Sequence, residues 1–139
     1  MTRIAVIDHG AGNLVSIAQG LRRSGADVAV VTTPDQLDGH HSIVLPGVGT
    51  TGAAMRRLDA AGLSGPLRAW PGPLLGICVG LQLFFDSSDE DGSHALGLIP
   101  GVVRKLVASP RLPHIGWNDV DLVADPIFAG VDSGTTFYF

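Results

Sequence analysis

Apolar residues along this chain fall in short blocks, and the spacing inside the blocks alternates. Arg3 to Asp8 (R-I-A-V-I-D) is a β-rich apolar run ended by Gly10-Ala11-Gly12-Asn13, which predicts a buried strand and a tight loop. Leu14, Ile17, Ala18 and Leu21 then recur at helical spacing until Ser24-Gly25 stops them. Asp27 to Thr33 predicts a second strand. Ser42 to Leu45 predicts a third, which runs into the loop Pro46-Gly47-Val48-Gly49. Between Thr51 and Trp70, the apolar positions Ala53, Ala54, Met55, Leu58, Leu63 and Leu67 predict one or two short helices broken near Gly62 and Gly65, with Pro71-Gly72 as the stop. A run from Pro73 predicts a buried strand that enters Gly76-Ile77-Cys78-Val79-Gly80 and leaves as a helix towards Phe85. Asp86 to Gly92 reads as an acidic, solvated loop. From Leu96 the helical period disappears: Leu98 to Val107, His114 to Val123 and Thr135 to Phe139 are β-rich, with Pro110 and Pro113 between the first two. This order predicts an α/β fold with a doubly wound, mostly parallel sheet and an antiparallel section added at its side.

Composition narrows the picture. The 139 residues suit one domain, and 45% hydrophobic against 16% charged residues suits a sheet covered on both faces. A net charge of −4 without a basic cluster argues against nucleic acid and anionic membranes as partners. The single cysteine permits no internal disulfide, the N-terminus lacks a signal pattern, and no apolar run reaches spanning length, so a cytoplasmic location is expected. His40-His41 has no third ligand at usable spacing, and no metal is expected there.

The candidate chemistry centres on Cys78. An apolar run, a nucleophile between glycines and a second apolar run make the layout of a nucleophile elbow, in which small neighbours allow a strained strand-to-helix turn. A thiol at a helix N-terminus is favoured as thiolate, whereas the plainer alternative for a lone cysteine is a small buried hydrophobe. Pro46-Gly47-Val48-Gly49 follows a strand and can aim backbone N–H groups at developing negative charge. Gly10 and Gly12 carry only part of a dinucleotide fingerprint, because Val15 occupies the place of the third glycine.

Five motifs in order, I-D-H-G-A-G-N (Ile7 to Asn13), L-P-G-V-G (Leu45 to Gly49), G-I-C-V-G-L-Q-L (Gly76 to Leu83), G-L-I-P-G (Gly97 to Gly101) and P-H-I-G-W-N (Pro113 to Asn118), precede a final F-Y-F. Together they resemble the class I (triad) glutamine amidotransferases, and among these the glutaminase subunits of imidazole glycerol phosphate synthase. The resemblance implies that Cys78 attacks the side-chain amide of L-glutamine. It implies oxyanion donors in the loop of Gly47, Val48 and Gly49 and at the N–H of Val79, and a substrate contact from Gln82. It further implies that His114, Trp117, Asn118 and Tyr138 face a cyclase subunit, a (β/α)₈ barrel that receives the ammonia for histidine biosynthesis, and it calls for no cofactor. His9 stands where the family usually has tyrosine, Thr50-Thr51 in place of alanine-phenylalanine, and Leu81 and Ile115 in place of methionine. The family's base, a histidine and a glutamate in an H-P-E motif, belongs several dozen residues beyond F-Y-F. The expectation is therefore that residues 1–139 form about the first two thirds of the family domain, with the sheet incomplete at its C-terminal side and little activity in the chain as given. Three alternatives stay open: an amidotransferase subunit of another pathway, a DJ-1-like cysteine hydrolase or chaperone, and a catalytically silent module that keeps the barrel-binding face.

Overall fold

The computed structural model describes residues 1–107 and 111–139, so Pro110 lies outside the described residues. These form two compact units, Met1–Lys105 and Leu106–Phe139.

In the first unit β1 (Arg3–Ile7), α1 (Leu14–Arg23), β2 (Asp27–Val31), β3 (Ser42–Gly47), α2 (Thr51–Ala60), α3 (Ser64–Arg68), β4 (Leu74–Cys78) and α4 (Val79–Gln82) follow one another. The four strands pair in the order β2-β1-β3-β4, all parallel. Alternation along the strands sorts side chains to two faces. Ala5, Ile7, Ile43 and Leu45 pack with Ala54, Met55 and Leu58 of α2 and with Leu67 of α3, while Val6, Val28 and Val44 pack with Ala18 of α1. Helices on both faces make this the doubly wound parallel sheet that the sequence predicts. Burial of roughly 1.5–3 kcal/mol per large aliphatic side chain holds the layers together.

Several boundaries differ from the sequence pattern. β2 stops at Val31 because Oε1 of Gln36 accepts from the N–H groups of Thr32 (2.7 Å) and Thr33 (3.2 Å), removing them from the ladder. β3 runs two residues past Leu45, with Pro46 opposite Ile77 and Gly47 opposite Cys78. Gly65 lies inside α3, where first-turn N–H groups need no helical partner, so the break falls at Gly62 alone. β4 is the sheet edge instead of a buried strand, with Leu75 48% exposed. α4 is a single turn.

After α4 come β5 (Ser87–Ser88), β6 (Ser93–His94) and β7 (Val102–Val103), in the order β6-β5-β7. β5 and β6 are antiparallel, but β7 pairs with β5 in parallel, and it is all that becomes strand in the expected run from Leu98 to Val107. The N–H groups of Leu98 and Ile99 both donate to the carbonyl of Phe84 (2.8 Å each), which folds this segment back on the turn after α4.

The second unit holds β8 (Trp117–Asp119) and β9 (Thr136–Tyr138), antiparallel as expected, with Trp117 opposite Tyr138 and Asn118 opposite Phe137.

Candidate active site

The chain adds β2 on one side of β1 and β3 on the other, so the carboxyl ends of β1 and β3 flank the point where strand order reverses. That is where open α/β sheets form their crevice. Cys78 ends β4 on the same sheet edge. Its φ of 57° and ψ of −118° make it the sole non-glycine residue with positive φ among the described residues. The turn is possible because both flanking positions lack a Cβ. At Gly76 a Cβ would lie 2.5 Å from Cα of Leu81, and at Gly80 it would lie 1.8 Å from the carbonyl oxygen of Leu45. The thiol is exposed, so it is not the buried small hydrophobe of the alternative reading. A strained, exposed nucleophile on a strand-to-helix turn is the geometry of a nucleophile elbow.

The other expected donors gather around it. Gly47 is the register partner of Cys78, Val48 beyond it is 52% exposed, and Gly49 has a φ of +92°. Val79, whose N–H begins α4, is buried. Gln82 lies one helical turn past Cys78, and its Oε1 accepts from Oγ1 of Thr51 at 3.4 Å. Thr51 is fully buried at the start of α2, directly after the Pro46–Gly49 loop.

Gln82 also lines a cavity of about 460 Å³ with Ser88, Asp89, Glu90, Val103, Arg104 and Lys105, a volume suited to a small molecule. The acidic residues from Asp86 to Gly92 are exposed, as the sequence suggests, and Ser88, Asp89 and Glu90 of this stretch also line the cavity. Asp91 within this stretch fastens it to α2, accepting from the N–H of Gly52 (2.9 Å) and from the N–H (3.2 Å) and hydroxyl of Ser93. The Ser93 hydroxyl, then the Gly52 N–H, hold the Asp91 carboxyl at about 2, below its ordinary 3.8. Sequence reasoning singled out neither Thr51 and Asp91, whose contacts with Gln82 and Gly52 lie far along the chain, nor Glu90, which shares the cavity lining with Arg104 and Lys105.

The histidines are placed elsewhere. His9 is buried against the carbonyl of Pro46, Nδ1 of His41 accepts from the N–H of Arg3 (3.0 Å), and Nδ1 of His40 lies 3.2 Å from the carbonyl of Leu37. Among the described residues none of the five histidines is hydrogen-bonded to Cys78. The Gly10–Gly12 loop is a capped turn: the N–H of Gly10 donates to Asp8 (2.8 Å), and Asn13 caps α1 through the N–H of Ser16 (3.3 Å).

In the second unit the four residues expected to meet a partner come together. Trp117 and Tyr138 stack edge to face with centroids 5.4 Å apart, and Nδ2 of Asn118 lies 2.8 Å from Nε2 of His114. Trp117 is 71% and Tyr138 61% exposed.

Comparison with known proteins agrees with this layout. Residues 5–132 match the model of the family described as glutamine amidotransferase class-I. The imidazole glycerol phosphate synthase subunit HisH of Xylella fastidiosa (strain Temecula1 / ATCC 700964) is 44% identical over 142 residues, covering 100% of this chain and 71% of the relative. The subunit of the same name from Moorella thermoacetica is 44% identical over 144 residues, covering 100% and 69%. Among solved structures, a glutamine amidotransferase superposes with a TM-score of 0.75 at 17% identity, covering 97% of this chain and 69% of that one, which bears on the fold alone. The strained Cys78 elbow and the glycine loop beside it are thus carried by a chain that belongs to the class-I glutamine amidotransferases, in the group of the imidazole glycerol phosphate synthase HisH subunits.

Proposed function

We propose that Cys78 is the nucleophile of a glutaminase that supplies ammonia for imidazole glycerol phosphate synthesis. The observation that carries the reading is the exposed thiol on its strained turn, paired in register with Gly47 and followed one turn later by Gln82 at a cavity. The thiolate sulfur adds to the amide carbon of L-glutamine, and the oxygen gains charge opposite the N–H of Val79 and the N–H groups of the Gly47-Val48 loop. Collapse breaks the C–N bond; the nitrogen takes a proton and leaves as ammonia, and a thioester remains. Water then attacks the thioester, releasing glutamate and restoring the thiolate. The proton transfers need a base, which in this family is the histidine of the H-P-E motif.

Charge in the cavity matches the rest of glutamine. Asp89 and Glu90 face an α-ammonium group and Arg104 and Lys105 an α-carboxylate, with Arg104 already 3.7 Å from Asp89. Ammonia would pass to a cyclase subunit, a (β/α)₈ barrel, in a heterodimer that uses His114, Trp117, Asn118 and Tyr138. A cytoplasmic location accords with a nucleophile that must stay reduced. A second reading, a docking module without catalysis, has in its favour that no described histidine is bonded to Cys78.

The test is covalent labelling in the complex with the cyclase. A chloromethyl-ketone analogue of glutamine is expected to modify Cys78, with glutamine protecting it. Glu90→Gln should raise the protecting concentration roughly tenfold, the worth of one hydrogen bond to a charged group. Labelling indifferent to glutamine would overturn the reading and favour the docking module.

A further inference from the structure

His9 is a buried titratable side chain, 5% exposed, to which the reaction as described gives no part. It follows β1, and its Nε2 lies 2.8 Å from the carbonyl oxygen of Pro46, thirty-seven residues along the chain. A carbonyl can only accept, so the ring carries its proton on Nε2 and donates it there. Nδ1 is buried and has no hydrogen-bond partner among the described residues. An imidazole placed with one nitrogen unsatisfied is held by what the other does, because an unpaired buried polar atom is costly.

What the other nitrogen does bears on the loop. Pro46 and Gly47 are the last residues of β3, which has β1 on one side and β4 on the other. The peptide joining them is planar and trans, so its C=O and N–H point opposite ways. With the carbonyl of Pro46 held on the β1 side by His9, the N–H of Gly47 is turned to the β4 side, where its register partner is Cys78. Gly47 is closely enclosed on that side, since a Cβ there would come within 3.0 Å of the N of Gly80 and 3.1 Å of Cβ of Val79. The peptides beyond Gly47 run through the exposed Val48 and the positive-φ Gly49, and no side chain among the described residues ties Val48 or Gly49 as His9 ties Pro46.

We propose that His9 is a positioning residue for the oxyanion loop: by donating from Nε2 to the carbonyl of Pro46 it fixes the root of that loop, so that reorientation of donors is confined to the peptides after Gly47. The proposal rests on the reading of Cys78 as nucleophile given above. It assigns His9 no proton transfer with substrate; its effect reaches the reacting atoms through the Pro46–Gly47 peptide.

The test compares two reagents on Cys78 in the complex with the cyclase. The chloromethyl-ketone analogue of glutamine reacts through a carbonyl whose oxygen needs the donors, whereas iodoacetamide alkylates sulfur by displacing iodide and needs none. His9→Phe keeps the ring and removes the donor; His9→Gln restores a donor. We expect His9→Phe to slow the chloroketone reaction roughly tenfold to a hundredfold, the scale of a small misplacement of catalytic groups, with iodoacetamide unchanged and with the loss largely reversed in His9→Gln. Equal slowing with both reagents, no slowing with either, or failure of His9→Gln to recover would overturn the inference. Should His9→Phe not fold, the nitrogen-15 spectrum of the wild-type imidazole decides: protonation at Nε2 supports the inference and protonation at Nδ1 defeats it. A wild-type protein whose labelling ignores glutamine defeats instead the reading of the site on which this one rests.

Discussion

Every fully buried large side chain among the described residues lies in Met1–Lys105, from Val6 to Ser88, whereas in Leu106–Phe139 Trp117 is 71%, Ile127 74% and Tyr138 61% exposed. The first unit is held by burial on both faces of a parallel sheet. The second is held by a short antiparallel ladder and by ring contacts such as the Trp117–Tyr138 pair, and a two-stranded ribbon of that kind is marginal in water. Under the proposed function the contrast separates two tasks. A strained nucleophile needs surroundings that over-determine its backbone, which only a close-packed core provides. An exposed aromatic cluster is poor at stabilising a fold and well suited to meeting another protein.

Substitutions can break this comparison. The largest effect belongs to Cys78→Gly: covalent labelling by the chloromethyl-ketone analogue of glutamine in the complex should be abolished, because the attacking sulfur is gone. Glycine accepts the positive φ of Cys78, so the same variant should unfold at an equal or higher temperature, with up to about 1 kcal/mol gained from relieved strain. A clear drop in the melting temperature would show that the elbow is not strained. Gly80→Ala tests the packing of the same turn, because its Cβ would meet the carbonyl of Leu45; about 3 kcal/mol or more should be lost in urea titrations, and activity with it.

Trp117→Ala and Tyr138→Ala probe the second unit. Each should weaken binding to the cyclase by about 2 kcal/mol in calorimetry and leave the unfolding midpoint of the first unit in place. If instead the midpoint falls while binding holds, the aromatic pair is structural and the division of labour is wrong.

The smallest effect concerns Asp91. Its carboxyl is held at about 2 in the folded chain, below the ordinary 3.8, so its contribution to stability is complete above 3.8 and is lost as pH falls through about 2. Asp91→Asn should therefore lower the thermal midpoint by a constant amount above pH 3.8 and flatten its decline between those values, so that the two proteins converge in acid. An unaltered acid profile would show that the Ser93 and Gly52 contacts do not persist in solution.

Much of the first unit was legible in the sequence because its signals are local. Alternating runs named β1, β3 and β4, and the helical spacing from Leu14 to Leu21 named α1, since each reports which face of an element is buried. The elbow was legible because Gly76 and Gly80 bracket Cys78 within five residues. The run from Leu98 to Val107 misled, since β-rich composition does not say whether a ladder partner exists, and the N–H groups of Leu98 and Ile99 find the carbonyl of Phe84 instead. The charges of the loop from Asp86 to Gly92 are exposed, as its composition suggests, but that Asp89 and Glu90 share a cavity with Arg104 and Lys105 is recorded by no local pattern.

By itself, then, the sequence determined the kind of each long element, the doubly wound class and the glycine-bracketed turn at Cys78, all of which depend on patterns a few residues wide. Only the tertiary structure decided that Gly47 lies opposite Cys78, that Glu90 shares a cavity with Gln82, and that His9 reaches the carbonyl of Pro46. Those neighbours are set by sheet register and by the closure of long stretches of chain, where the free energy depends on the packing of the whole core and no local period records it.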